Sequence, residues 1–419
     1  MLARWSQAKL KSILNALRIA CVVGCRQSGK TTLVKNACPR PFDYVTLDSD
    51  SYRNLVAQDP SFFVQRRDNK CLVIDEIQKM PQLIGEIKIA VDENPEKGQY
   101  IITGSADYRK LPHAKESLAG RVGFVRVRTF TEAELRGCDY GFLKRLFDEQ
   151  IPLSCDQSLC NKPLIFNLAV SGGFYETQTD NPNVRAQWFE SYVEQQVLLD
   201  MRDQWGTRKL DRVREMFGYV AAFSSNPFVT RTASQQLQIN LQTIDSYLSS
   251  IEAMYLIDRL PAWTLKDYDR PKKTPKLFMT DSGLMSYLLG IGNIEDKIFD
   301  PVFASNPGGK LIETWTYNQL IAEVELHPRW TMHHLRTRTH EINFLITDEN
   351  GDMLAIDIKS GQSVEANDAR HIRWFQELVA PSRCIGIVLY AGNNVLSFGN
   401  HCYAIPLAAM WDYRPRPSL

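Results

Sequence analysis

Residues 24–31 read Gly24-Cys-Arg-Gln-Ser-Gly-Lys-Thr31, and this octapeptide decides how the rest of the chain is read. It matches G-x-x-x-x-G-K-[ST] in full. The apolar run Ile19-Ala-Cys-Val-Val23 before it has the composition of a buried parallel strand, and Thr32-Leu-Val-Lys-Asn36 after it can open a helix. Gly24 and Gly29 let the backbone of Cys25, Arg26, Gln27 and Ser28 curl so that successive N–H groups point inward, at the positive end of a helix dipole. The result is a cradle for phosphate oxygens, continued by Thr32. Lys30 would reach the β- and γ-phosphates of ATP, and the Thr31 hydroxyl would ligate Mg²⁺. A chance glycine turn fits one or two of these features but not the set.

A phosphate loop calls for a metal-binding acid on a neighbouring strand. Cys71-Leu-Val-Ile-Asp-Glu76 supplies four apolar residues and then two carboxylates, the first lying 45 residues after Lys30. Ligands of open parallel sheets sit at the carboxyl ends of the strands. Asp75 is therefore expected to hold Mg²⁺, directly or through water, and Glu76 to polarise the water that attacks the γ-phosphate. A third strand, Tyr100-Ile-Ile-Thr-Gly-Ser105, ends in hydroxyls. Thr103 and Ser105 could sense the γ-phosphate or orient the water; such residues are also common turn formers. In Leu118-Ala-Gly-Arg-Val-Gly123, Arg121 has two readings of equal weight. It stabilises transition-state charge, in its own subunit or across an interface, or it is a plain surface residue.

These residues carry a resemblance. Gly24 to Leu33, Val73-Ile-Asp-Glu-Ile-Gln78, Ile102-Thr-Gly-Ser105 and Ser117-Leu-Ala-Gly-Arg-Val122 resemble a group of prokaryotic AAA-type ATPases with an uncharacterised C-terminal domain. The likeness continues through Gly172-Gly-Phe-Tyr-Glu176, Pro275-Lys-Leu-Phe-Met-Thr-Asp-Ser-Gly-Leu284 and Ala355-Ile-Asp-Ile-Lys-Ser-Gly361, nearly the whole chain. It implies ATP binding, slow hydrolysis and a C-terminal domain related in fold to restriction-type nucleases.

The length of 419 residues suits two to three domains. Forty-nine Lys and Arg against 48 Asp and Glu give +1, which disfavours extensive coating by nucleic acid but leaves room for a local basic groove. Nine cysteines are scattered without C-x-x-C pairing: Cys21 and Cys71 lie in expected core strands, and Cys155 and Cys160 lack partners spaced for zinc. This points to a reducing cytoplasm without structural metal. No apolar stretch approaches a membrane span. Residues 1–17 read as an amphipathic helix rather than a signal peptide. The expected division is an ATPase domain over 1–135, a helical region with a winged-helix-like module over 136–290, and a nuclease-like domain over 291–419.

In the middle region, Trp188, Tyr192 and Val193 recur at core spacing and read as packing. Arg231-Thr-Ala-Ser-Gln-Gln-Leu237 followed by a helix opening at Gln242-Thr243 has the helix-turn-helix pattern. Leu256 to Leu260 would begin a wing strand, with Lys272 and Lys273 near its far end. Gln242, Thr243 and Ser246 could contact DNA, or the module serves packing or protein contacts. Between Arg231 and Lys276 seven Lys and Arg face five Asp and Glu, which weighs slightly toward the second reading.

From Gly308 the pattern becomes a helix, carrying Glu313, and then a mixed sheet. Glu341-Ile-Asn-Phe-Leu-Ile346 and Met353-Leu-Ala-Ile-Asp-Ile-Lys359 read as hairpin strands. Strand side chains alternate, so Asp357 and Lys359 share a face. An acid-x-lysine pair, with an acid on the preceding strand and a helical glutamate, is the site at which restriction-type nucleases activate water with a metal. Here the preceding-strand position is Asn343, where the family pattern resembles Glu-Val-Asp-Phe and carries aspartate. An amide brings no negative charge, so Mg²⁺ binding should weaken, which argues against cleavage. Arg336, Arg338, His371 and Arg373 could still hold a nucleic-acid backbone; the competing reading is a solvated surface.

The fold class expected is α/β: a P-loop NTPase parallel sheet, a helical and winged-helix-like module, and a nuclease-like α/β domain. The function expected is an ATP-binding, Mg²⁺-dependent ATPase acting as a nucleotide-controlled switch on DNA, RNA or a protein partner. The alternatives are an ATP-regulated nuclease and a non-cleaving DNA-binding ATPase. An arginine finger acting across an interface would require an oligomer.

Overall fold

The computed structural model describes residues 2–65, 70–107, 118–206, 209–264, 273–292, 294, 297–379 and 383–413. Ser117 and Lys272 lie outside them. The chain forms two compact units: residues 1–129 with 251–256, and residues 130–250 with 257–419.

The first unit is built on β1 (Ile19–Val23), β2 (Phe42–Thr46), β3 (Cys71–Asp75), β4 (Tyr100–Gly104) and β5 (Val122–Arg126). They form a parallel sheet in the order β2-β3-β4-β1-β5. Every residue of β1, β3 and β4 is buried, which is why these strands read as unbroken apolar runs. Helix Leu83–Glu93 turns Leu83, Ile84, Ile87 and Val91 inward, a helical stripe. The expected N-terminal helix spans Ser6–Ala16 and buries Leu10 and Leu14. A Cβ on Gly123 would stand 2.6 Å from Ile13 Cγ2, so the glycine lets this helix close on β5. Because all strands run one way, the loops leaving β1, β3 and β4 gather at one edge.

The second unit begins at Phe130 rather than at the expected 136. The Phe130 N–H donates to Gly173 O (2.7 Å), Thr131 and Glu134 form a capping box, and the Glu132 N–H donates to Gln319 Oε1 (2.7 Å). These bonds tie the segment to later residues before the expected boundary is reached. Helices Phe142–Phe147, Lys162–Ser171, Pro182–Tyr192 and Leu198–Trp205 follow. Trp188 and Tyr192 pack on Phe174, with ring centroids 4.9 and 5.0 Å away.

Helix Leu210–Ala222, β6 (Asn226–Pro227), helices Thr230–Leu237 and Leu241–Ala253, β7 (Ile257–Leu260) and β8 (Lys276–Met279) come next. The strands pair antiparallel in the order β6-β8-β7. Gln238 at φ 52° makes the turn between the two helices, and Asn240 Oδ1 accepts the Thr243 N–H at 2.8 Å. The second unit runs on through residue 290. Asn318 Nδ2 of helix Pro307–Val324 donates to Met279 O (3.0 Å), and Ser224 Oγ meets Thr314 Oγ1 (2.7 Å).

The chain ends in a six-stranded mixed sheet of β9 (Thr331–Arg336), β10 (Glu341–Thr347), β11 (Met353–Lys359), β12 (Cys384–Tyr390), β13 (Leu396–Gly399) and β14 (Cys402–Pro406). Its order is β13-β14-β12-β11-β10-β9. The hairpin β10–β11 has Phe344 opposite Ile356, and β11 then runs parallel to β12.

Candidate functional site

The loop leaving β1 wraps the start of helix Lys30–Ala37. Gly24 sits at φ 153° and a Cβ there would lie 2.1 Å from Val127 O, so no other residue fits without moving β5's exit. Gln27 at φ 60° and Gly29 at φ 91° complete the curl. Lys30 is buried, and its ammonium donates to Gly24 O (3.0 Å) and Cys25 O (2.8 Å). Burial pushes the Lys30 pKa below the ordinary lysine value, while the charges of Glu76, Cys25 and Asp75 pull it back up.

Asp75 ends β3 and faces this loop: Thr31 Oγ1 donates to Asp75 Oδ2 at 3.2 Å. The Tyr44 hydroxyl, on β2, donates to the same carboxylate oxygen, and Thr103 Oγ1, on β4, donates to the other. Burial raises the Tyr44 pKa above the ordinary phenol value, with the bond to Asp75 adding to it. Glu76 lies in the left-handed region (φ 58°, ψ 48°), a strained setting for a side-chain-bearing residue. Its backbone N–H donates to Thr103 Oγ1 (3.4 Å). Its carboxylate accepts from Gln78 Nε2 and from Ser105 Oγ (3.1 Å).

Phosphate loop, Thr31, Asp75, Glu76, Thr103 and Ser105 thus meet at one edge. Thr103 is fully buried and spends its hydroxyl on the two acids, so it positions them rather than facing a nucleotide. Tyr44 and Gln78 join the set without having been singled out in the sequence; Gln78 stands two residues beyond Glu76 in the quoted Val73–Gln78 run. Arg4 was also missed. It links Ser28 O (3.2 Å) to Arg128 O (2.6 Å) and so braces the outside of the loop.

Arg121 is not brought to this edge. It precedes β5, and its carbonyl accepts from the N–H of Ile19, the first residue of β1 (3.1 Å). Five residues of strand, about 17 Å at ~3.3 Å each, separate that end from the phosphate loop. Its guanidinium pairs with Asp92 at 2.5 and 3.1 Å. The expectation of a catalytic arginine within the same subunit is corrected accordingly: a residue before a parallel strand lies at the sheet's amino edge.

In the second unit, Glu313 lies on helix Pro307–Val324, Asn343 on β10, and Asp357 and Lys359 on β11. Lys359 Nζ stands 3.7 Å from Asp357 Oδ2 and 3.4 Å from Asp368 Oδ1. Asn343 Oδ1 accepts the Ile358 N–H (3.0 Å), so this amide links the strands instead of offering its oxygen to a metal. Burial lifts the carboxyl of Glu313 to about 7, opposed by Lys276, and that of Asp357 to about 6, opposed by Lys359. Among the described residues, no group of three or more His, Cys, Asp or Glu converges to hold a metal. The donor set therefore does not fit the expected nuclease metal.

On helix Leu241–Ala253, Gln242, Asp245, Ser246 and Ser249 are exposed and Thr243 is half-buried. This face offers amide and hydroxyl groups with one carboxylate and no cation, a poor match to a phosphate backbone. No described helix is long and apolar enough to cross a membrane.

Residues 17–136 match a family profile described as an AAA domain. Residues 163–295 and 308–410 match two profiles, each described as a domain of unknown function (DUF8612 and DUF4143). Uncharacterized proteins of Mycobacterium bovis and Mycobacterium tuberculosis are each 24% identical over 293 residues, 69% of this chain and 60% of the relative. The matched region thus spans about 60% of those relatives' length. Similar solved structures include the Thermotoga maritima RuvB Holliday junction branch migration motor, with 17% identity, 64% of this chain, 93% of that chain and a TM-score of 0.29. A signal transduction ATPase with numerous domains from Pyrococcus horikoshii has 14% identity, 78% and 50% coverage and a TM-score of 0.22. Scores this low carry no weight for this chain. The AAA-domain match and the site together support an ATP-binding ATPase built on a P-loop NTPase sheet.

Proposed function

We propose that the chain hydrolyses ATP with Mg²⁺ and uses nucleotide occupancy as a switch on a nucleic-acid or protein partner. The observation carrying this reading is the Lys30 ammonium, buried in the loop and bonded to Gly24 O and Cys25 O. These are neutral acceptors within one short loop, so phosphate oxygens can replace them with a gain in charge complementarity.

The residues fit a magnesium ion: a threonine hydroxyl and an aspartate stand 3.2 Å apart beside the cradle. Thr31 and Asp75 would hold the ion, which supplies neutralisation of phosphate charge. Lys30 binds the β- and γ-phosphate oxygens, and the loop N–H groups orient them. Glu76 acts as the base that draws a proton from water once it leaves Gln78 and Ser105. Thr103 and Tyr44 keep Asp75 in place. Release of Glu76 from its two partners couples nucleotide to turnover.

The test is ATP turnover by the purified chain at low salt, with and without short DNA and RNA duplexes. Stimulation by one of them identifies a nucleic-acid-linked switch. Turnover without stimulation points to a protein partner. Absence of Mg²⁺-dependent turnover under every condition overturns the reading.

A further inference from the structure

We propose that Lys276 is the resident cation of the carboxylate cluster in the second unit, standing where cleavage would need a metal ion and joining the three-stranded sheet to the helix and sheet that follow it. The inference is independent of the nucleotide site. Lys276 lies on β8 and is 1% exposed. A buried ammonium needs counter-charge, and among the described residues this one is paired closely with Glu341 Oε1 at 2.8 Å, on β10, and more distantly with Glu313 Oε2 at 4.0 Å, on helix Pro307–Val324. Its charge also acts on Asp357. The acids that a restriction-type site would offer to a dication therefore face a cation that belongs to the chain.

The remaining donors are committed as well. Asn343 Oδ1 holds the Ile358 N–H of β11, where the pairing of β10 with β9 on its other side is irregular, and Lys359 bridges Asp357 and Asp368. Mg²⁺ demands near-octahedral oxygens from carboxylates and waters, and a fixed ammonium beside those carboxylates repels it. The same contacts have a structural use. Tyr317 Oη donates to Asp258 Oδ2 (2.9 Å) on β7, and Asn318 Nδ2 donates to Met279 O on β8. With Lys276 they fasten the small sheet to helix Pro307–Val324 and β10 by polar bonds.

The experiment is Mn²⁺ titration of the nucleotide-free full chain, followed by the electron paramagnetic resonance of free Mn²⁺. Wild type and Asp357→Asn are expected to bind the same number of ions, any weak binding being removed by Asp75→Asn. The double variant Lys276→Met with Asn343→Asp is expected to gain one Mn²⁺ per chain, lost again on adding Asp357→Asn. A wild-type ion that Asp357→Asn abolishes and Asp75→Asn spares would overturn the proposal. So would a double variant with native near-ultraviolet circular dichroism that gains no ion. Should the double variant not fold, the comparison of wild type with Asp357→Asn decides alone.

Discussion

Among the described residues two lysines are buried near carboxylates, Lys30 and Lys276, and they are held in opposite ways. Lys30 donates to two main-chain carbonyls of its own loop, with Asp75 and Glu76 engaged by hydroxyls and an amide around it. Lys276 is paired directly with Glu341 and lies near Glu313, on separate elements of its unit. Neutral carbonyls can be exchanged for phosphate oxygens at little loss, whereas removing a lysine from a buried ion pair strands a charge. A lysine is available for a ligand when its resting partners are uncharged. When they are carboxylates it becomes part of the fold.

The largest effect should come from the nucleotide side. Glu76→Gln is expected to lower ATP turnover by about 10²–10⁴-fold while leaving ATP binding in place, because only the proton acceptor is lost. Turnover assays beside equilibrium nucleotide binding check this, and undiminished turnover would remove Glu76 from its role. On the other side, Lys276→Ala should destabilise the second unit by about 1–3 kcal/mol, read from urea unfolding, the partly exposed Glu341 keeping the effect below that of a fully buried pair. A loss below ~1 kcal/mol would mean that the pair contributes little, and the contrast would fail.

A pH series sharpens the same contrast. Glu313 titrates near 7 in the folded chain, above its ordinary value of 4.5. Its folded form therefore binds protons more tightly than the unfolded form. The stability it contributes is complete below about pH 4.5 and is lost as pH rises to 7, a drop of about 1–3 kcal/mol. Asp357, lifted to about 6, acts in the same direction from a lower starting pH. Unfolding measured between pH 4.5 and 8 should show the decline, and Glu313→Gln should flatten it. The smallest effect is expected for Arg121→Ala. Its surface pair with Asp92 contributes little to stability, and its distance from the loop leaves turnover unchanged. A large fall in turnover would show that the arginine acts on another copy of the chain.

The nucleotide site was legible because its decisive residues are contiguous or end strands: eight residues give the loop, and the acids follow four apolar residues. The sheet's buried strands were legible for the same reason. Tyr44 was not, since nothing local tells that β2 lies beside β3 with its hydroxyl toward Asp75. Gln78 stood inside a quoted motif, but its bond to Glu76 depends on the left-handed backbone at Glu76. Arg121 kept two readings of equal weight because the glycines around it do not tell which end of β5 it occupies. Lys276 was invisible for a simple reason: its partners Glu313 and Glu341 lie 37 and 65 residues further on. Asn343 could be seen as a departure from the nuclease pattern, yet its bond to Ile358 needed the hairpin register.

The most direct test of the account is Mg²⁺-dependent phosphate release from ATP by wild type beside Lys30→Ala. Release by wild type and a loss of about 10²–10³-fold in the variant are expected, as for removal of a principal charge-stabilising donor. Equal release by the two proteins would contradict the placement of the nucleotide at this loop.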